Sequence, residues 1–227
     1  MNIAIVGATG NVGRKVLEVL ELKKFPIDQL YLVASSKSAG KKISFNGKDC
    51  EVLNLETFDF TNVEITFFAA GGKISEQYAT KAAEHSIVID NSSYFRMDPD
   101  VPLIVPEVNS HDLKNYKKKN IIANANCSVI PLVVALKPLH DLYNIKRIVA
   151  STYQSVSGAG KAPMDELLSQ TKDFFENKNL SSSYFTKQIA FNAIPHIDSF
   201  LDSGYTKEEQ KMHDEVKKIL DSKIKVT

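Results

Sequence analysis

Asn2-Ile3-Ala4-Ile5-Val6-Gly7-Ala8-Thr9-Gly10-Asn11-Val12-Gly13 decides the fold. Asn2 to Val6 is apolar at nearly every position, as in a strand covered by helices on both faces. Gly7, Gly10 and Gly13 then mark a turn into a helix with Val12, Val16, Leu17, Val19 and Leu20 at core spacing. In such a unit Gly7 allows the tight turn, Gly10 lets backbone approach a pyrophosphate, and Gly13 lets the helix pack close on the sheet. The helix N-terminus favours an anion. The spacing G-x-x-G-x-x-G is a variant of the usual dinucleotide fingerprint, and a glycine turn of another α/β protein would look alike. The strand before it and the helix after it favour a cofactor.

Outward from this unit, short β-rich runs alternate with helical patterns, the mark of a doubly wound parallel sheet. Gln29 to Ala34 is a second strand, and Lys42 to Phe45 and Lys48 to Leu53 flank Asn46-Gly47, a hairpin turn. Glu64 to Ala70, Ser86 to Asp90 and Asn120 to Ala125 add strands, with helices over Ser75 to His85 and His111 to Lys118. The second strand ends in Ala34-Ser35-Ser36-Lys37-Ser38, with no acid to bond a ribose 2′-hydroxyl. Ser35, Lys37 and Ser38 offer hydroxyls and a positive charge to a 2′-phosphate, so NADP is favoured over NAD. A solvated surface loop would carry the same residues.

The pattern changes near Cys127, which divides the chain into a cofactor domain over 1–126 and a second domain over 127–227. Ser128 to Tyr143 reads as an apolar helix with Pro131 in its first turn. Lys146 to Gln154 reads as a long strand and Ser155 to Gly160 as a loop. A following helix sets Met164, Leu167, Leu168, Thr171, Phe174 and Phe175 on one face, and Asn177 to Ser183 is polar and expected to be mobile. Thr206-x-x-Glu209 is a capping box opening a last helix with Met212, Val216, Ile219 and Leu220 inward. Lys223 to Thr227 alternates like the start of a strand with nothing to pair with, so the chain reads as cut within a domain.

Composition narrows the classes. Of 227 residues, 43% are hydrophobic and 24% charged, which suits a globular core and excludes disordered, collagen-like and disulfide-stapled chains. A formal net charge of +1 gives no electrostatic reason for nucleic acid or an anionic membrane as partner. Cys50 and Cys127 have no framework or metal-type spacing, and no metal is expected. No signal-peptide pattern or bilayer-length apolar run occurs, so the expected setting is the cytoplasm, with reduced thiols.

Cys127 stands where the strand Ile121 to Ala125 meets the helix beginning near Ser128. A thiol at a helix N-terminus faces the positive end of the dipole, which favours the nucleophilic thiolate. It also sits at the carboxyl end of a strand, where ligands bind in such sheets. A free cysteine is as readily a small buried hydrophobe. Cys50, on the hairpin, has no such setting.

Taken together, the ordered runs resemble the aspartate-semialdehyde dehydrogenases across essentially the whole chain. They are Gly7 to Gly13, Ala34 to Lys41, Phe67-Phe68-Ala69-Ala70-Gly71-Gly72, Asp90 to Pro102, Val105-Pro106-Glu107-Val108-Asn109, Asn124-Ala125-Asn126-Cys127-Ser128, Tyr153 to Gly160 and Glu215 to Leu220. The resemblance implies an α/β fold of glyceraldehyde-3-phosphate dehydrogenase-like architecture: a Rossmann-type NADP-binding domain, then part of an α+β substrate and dimerisation domain. It implies that Cys127 attacks aspartate 4-semialdehyde, hydride passes to NADP, and phosphate releases the thioacyl group as aspartyl 4-phosphate. Biosynthesis of lysine, diaminopimelate, methionine and threonine runs the reverse way. Gln154 matches the glutamine that orients substrate at the thiol. Thr9 to Val12, Lys37-Ser38, Gly71, Ser157 and Gly158 match cofactor contacts. Arg96, Asn126 and Lys218 match phosphate contacts, and Glu215 the carboxylate that holds the substrate amino group. Lys37 stands where many relatives carry arginine, keeping the charge without the planar fork. A homodimer is implied for the intact protein.

Without the resemblance, Arg96 reads as a surface ion-pair residue, Glu215 and Lys218 as an exposed i,i+3 pair, and Gln154 as a loop polar residue. The family's general base is a histidine in an Arg-x-Pro…Gly-His segment, which the sequence does not contain. His85, His111, His140, His196 and His213 read as surface or structural residues. The expectation is a chain that binds cofactor but turns over poorly alone. Two other readings compete: an N-acetyl-glutamyl-phosphate reductase, whose cysteine motif resembles Gly-Cys-Tyr-Pro where Asn126-Cys127-Ser128-Val129 stands here, and a non-catalytic NADP-binding module.

Overall fold

The computed structural model describes residues 1–227. In chain order the first half runs β1 (Asn2–Val6), α1 (Asn11–Leu22), β2 (Gln29–Ala34), β3 (Lys42–Phe45), β4 (Lys48–Asn54), β5 (Ile65–Phe68), α2 (Gly72–Ala83), β6 (Ile87–Asp90), β7 (Leu103–Ile104), α3 (Pro106–Asn109) and β8 (Ile121–Asn124). One eight-stranded sheet gathers them in the order β3-β4-β2-β1-β5-β6-β8-β7. Every pairing is parallel except the β3–β4 hairpin, where Asn46 and Gly47 both take the left-handed conformation of the tight turn. The chain winds from β1 to β2 on one side and later returns to β5 on the other, so the switch point lies at the carboxyl end of β1.

β1 is apolar because it is central: Ile3, Ala4, Ile5 and Val6 are fully buried. On one sheet face α1 packs Leu17 and Leu20 onto Ile3, Ile5 and Leu32. The other face carries Val6, Phe68 and Val88 beneath Ala79 and Ala82 of α2. That second core continues into the rest of the chain, through Val129 and Val133 of α4 (Val129–Tyr143) and Met212, Val216 and Ile219 of α6 (Lys207–Ile219). Between these helices lie β9 (Arg147–Ile148) and α5 (Lys161–Phe175), and β10 (Lys225–Val226) follows α6. The capping box forms as read: Thr206 Oγ1 accepts from Glu209 N, and Glu209 accepts from Thr206 N. No helix is long and apolar enough to cross a membrane.

Several expectations fail for identifiable reasons. Val12 and Val19 are 49% and 43% exposed, because α1 turns only its Gly13, Leu17 and Leu20 edge to the sheet. Lys146 to Gln154 is not one long strand: the strand ends at Ile148, a last backbone bond runs from Ala150 N to Thr227 O, and Val149 and Tyr153 stand exposed. Lys225–Val226 does find a partner, pairing in parallel with Arg147–Ile148. On α5 the apolar residues Met164, Leu168, Phe174 and Phe175 face outward, while Glu166 and Gln170 are buried. The reason is polar: Glu166 accepts from the Ser183, Tyr184 and Phe185 amides at 3.0, 2.5 and 3.3 Å. Gln170 bonds Ser181 O, Ile189 N and Ala190 N. The end of the Asn177 to Ser183 stretch is therefore tied down. α2 starts three residues before Ser75, and β7 and α3, both very short, carried no periodic signal.

Candidate active site

The glycine turn closes as its residue types require. Gly7 has φ +88°, and a Cβ there would meet the Ala69 carbonyl at 2.7 Å. A Cβ on Gly13 would lie 2.3 Å from Gly7 O, so α1 can start this close to β1 only without one. Gly10 N-caps α1 with no side-chain cap, leaving the first-turn amides and the positive dipole end open. Gly71, at φ +87°, begins α2 beyond β5, across the switch point. A 520 Å³ cleft brings Asn11 and Val12 of α1 together with Ser157, Gly158, Asn91 and Phe67. Asn11 also contacts Met164 Sδ at 3.2 Å, so α5 helps to fix the far wall. Past β2, Ser35 and Lys37 are exposed and Ser38 half-buried in a turn closed by Ser38 N to Ser35 O at 2.8 Å. Lys37 makes no ion pair with any carboxylate. An open helix start beside a backbone cradle fits a dinucleotide pyrophosphate.

Cys127 is exposed, between the end of β8 and the start of α4; Cys50 is half-buried. The turn that presents the thiol is held through Asn126. Its Oδ1 accepts from Ser128 N at 2.8 Å, its own amide donates to Glu215 Oε2 at 2.6 Å, and its Nδ2 donates to Glu208 Oε1 at 2.9 Å. Gln154 Nε2 reaches the same Glu208 oxygen at 3.2 Å, and Thr152 donates to Gln154 Oε1 at 3.0 Å. Lys211 Nζ lies 3.0 Å from Glu208 Oε2 and 3.0 Å from Asp198. Burial pushes the Glu208 carboxyl up, but the donors Asn126, Lys211 and Gln154 outweigh it and hold Glu208 below the ordinary carboxylate range. For Lys211, burial works downward and the two carboxylates prevail, keeping its ammonium above the usual lysine value.

Arg96 is buried and bonded on all three nitrogens: Nε to Asn124 O at 2.9 Å, Nη1 to Glu215 Oε1 at 3.0 Å, and Nη2 to Asn91 O at 3.2 Å. It lines a 230 Å³ cavity with Ser93, Lys207, Gln210, Lys211, Asp214 and Glu215, three cations facing two carboxylates. The exposed-pair reading of Glu215 and Lys218 is corrected. Glu215 is 1% exposed, with both oxygens engaged. Lys218 donates to Arg96 O, Asp98 O and Val101 O at 2.7, 2.8 and 3.0 Å, all backbone carbonyls. Burial lowers the Lys218 pKa and raises that of Glu215, against the opposing pull of Asp98 and Glu215 on the first and Arg96 on the second.

Glu208 and Lys211 were missed. The signal was there: Glu-x-x-Lys occurs twice on α6, at 208/211 and at 215/218. The two pairs are about two turns apart and so share a face, and spacing alone does not say which shares its carboxylate with Gln154. None of the five histidines bonds Cys127. His140 lies 4.0 Å from Asp221, His213 contacts Asp214 and Lys217, His111 approaches Asp112, His196 packs at a tilt on Phe200, and His85 is exposed.

Comparison with known proteins adds two domain families. Residues 2–116 match the semialdehyde dehydrogenase NAD-binding domain, and residues 136–227 the semialdehyde dehydrogenase dimerisation domain. Among curated relatives, the aspartate-semialdehyde dehydrogenase of Aquifex aeolicus is 55% identical over 99% of this chain, which spans 67% of that protein. A crystal structure of aspartate semialdehyde dehydrogenase II from Vibrio cholerae, complexed with ASA, superposes with a TM-score of 0.97 at 52% identity, over 100% of this chain and 68% of that one. A Candida albicans aspartate semialdehyde dehydrogenase solved with NADP superposes at 0.67 with 25% identity, over 100% of this chain and 65% of that one. The chain thus spans about two thirds of the length of these relatives.

Proposed function

Because this chain belongs to the aspartate-semialdehyde dehydrogenase family, we propose that it supplies the cofactor cradle and the nucleophile for NADP-dependent reductive dephosphorylation of aspartyl 4-phosphate to aspartate 4-semialdehyde. The observation that carries the reading is the exposed Cys127 at the start of α4, directly after Asn126, whose side chain shares one Glu208 oxygen with Gln154.

In the biosynthetic direction Cys127 Sγ attacks the acyl carbon and phosphate leaves, giving a thioester on the protein. Bound NADPH supplies the hydride that reduces this thioester, and collapse of the resulting thiohemiacetal returns the aldehyde and the thiolate. Arg96 receives the phosphate oxygens, since a guanidinium bonds two oxygens at once. Asn126 fixes the thiol's turn, and Gln154 orients the acyl group. Glu208 and Lys211 meet the substrate's charged groups from α6, in place of the Glu215 and Lys218 roles first expected. The turn amides of Thr9 to Gly13 hold the pyrophosphate, with Ser157, Gly158 and Gly71 around the nicotinamide side. Ser35, Lys37 and Ser38 receive the 2′-phosphate, a preference also supported by the NADP in the Candida relative. With no histidine at the thiol, these residues forgo general acid–base help, which contributes about 10²–10⁴ in rate. The dimerisation-domain match and the exposed Val149 and Tyr153 support a homodimer formed through residues 127–227.

Iodoacetamide labelling of the folded protein tests the reading. Cys127 should react far faster than Cys50, and Cys127→Ser should keep NADP binding while acyl-enzyme formation disappears. Equal labelling of both thiols would favour a cofactor-binding module without chemistry.

A further inference from the structure

We propose that Glu215 is a positioning residue that sets the anion-binding arginine and the nucleophile's turn with a single carboxylate. Oε1 fixes Arg96 Nη1 at 3.0 Å and Oε2 takes the Asn126 amide at 2.6 Å. Asn126 immediately precedes Cys127, and Arg96 lines the 230 Å³ cavity, so the two halves of the chemistry meet on one side chain from α6. Arg96 is left with little freedom. Three of its five N–H donors are held by Asn124 O, Asn91 O and Glu215, which leaves two for an incoming oxyanion. One turn further along α6, Lys218 draws in the carbonyls of Arg96, Asp98 and Val101, which fixes the backbone that carries the guanidinium. The ion pair is buried on both sides, where a bond's geometry is held firmly and a lost partner is expensive.

The inference rests on Arg96 as the phosphate contact, and two opposing effects of removing the Glu215 charge make it decidable. By charge alone, Glu215→Gln leaves the Arg96 charge uncompensated and tightens anion binding. By position, glutamine offers one acceptor where two donors arrive, so its NH₂ confronts either the Arg96 guanidinium or the Asn126 amide, the shared geometry breaks, and binding weakens.

Titration of the full chain with inorganic phosphate, followed calorimetrically, separates them. We expect Glu215→Gln to weaken phosphate about tenfold or more, the scale of one charge-assisted hydrogen bond. Glu215→Asp keeps the charge but cannot span both partners, and should weaken phosphate by about threefold or more, a variant that remains informative if the glutamine does not fold. Unchanged or tighter binding in a folded variant, even one with a lowered melting temperature, overturns the proposal. Arg96→Gln serves as the control: if it leaves phosphate affinity intact, the arginine reading itself fails, whereas loss in Arg96→Gln without loss in the Glu215 variants defeats only the positioning role.

Discussion

Glu208 accepts from Asn126 and Gln154, brought from distant parts of the chain, and from Lys211 one turn along its own helix. Glu208→Ala leaves the Lys211 ammonium with Asp198 alone and frees both amides beside the thiol. The expected result is a loss of about 1–3 kcal/mol in urea unfolding, with slower Cys127 alkylation, because a buried group stripped of its partner bears its full desolvation penalty. The pH dependence has a defined sign. Glu208 is held below its ordinary 4.5 in the folded protein, so the stability it lends is present above pH 4.5 and is lost as pH falls through the lower folded value. Glu166 and Asp98 behave alike: burial pushes each up, and donors at Tyr184 and Ser183, or at Lys119 and Asp100, prevail. Unfolding midpoints measured from pH 6 down to pH 3 should drop, and Glu208→Gln should flatten part of that slope. Cys127 was legible at this scale because its neighbours in sequence are its neighbours in space. Glu208 was not, since nothing local distinguishes it from Glu215.

Elements were read well where their causes are local. The Asn46-Gly47 hairpin, the Thr206 capping box and the Gly7 to Gly13 turn each carry their geometry in a few adjacent residues. Gly13→Ala would drive a methyl into Gly7 O, and should destabilise by about 1–3 kcal/mol while abolishing the rise in melting temperature on adding NADP. Reading failed where a distant partner decides. Lys146 to Gln154 has strand composition, yet a strand exists only where another pairs with it, and here that is two residues long. On α5 the apolar stripe misled because Glu166 and Gln170 turn inward to bind backbone from 181 to 190. Glu166→Ala removes the acceptor of three consecutive amides. Trypsin should then cut after Lys178 and Lys187 much faster, with the rest of the chain resistant over the same interval.

At the scale of the molecule, strand order puts the switch point under the glycine turn, and the shared core puts α4 and α6 at the same end. The alternation of short strands and helices made the sheet predictable; the way the second half closes on it was not, because the contacts of Met212, Val216 and Ile224 span the whole sequence. Cofactor choice can be read through stability: a ligand at one hundred times its dissociation constant adds about 2.7 kcal/mol. NADP should raise the melting temperature above that with equimolar NAD, and Lys37→Ala should shrink the difference by about tenfold in affinity ratio. One oxygen ties two distant stretches of the chain to α6. Glu208 Oε1 takes both Asn126 and Gln154, so removing either leaves the other to satisfy it, and removing both strands it. Alanine at the two positions should therefore be non-additive, with a coupling energy of about 0.5–3 kcal/mol in a double-mutant cycle, and substitutions at 126 and 154 would be under joint rather than independent constraint.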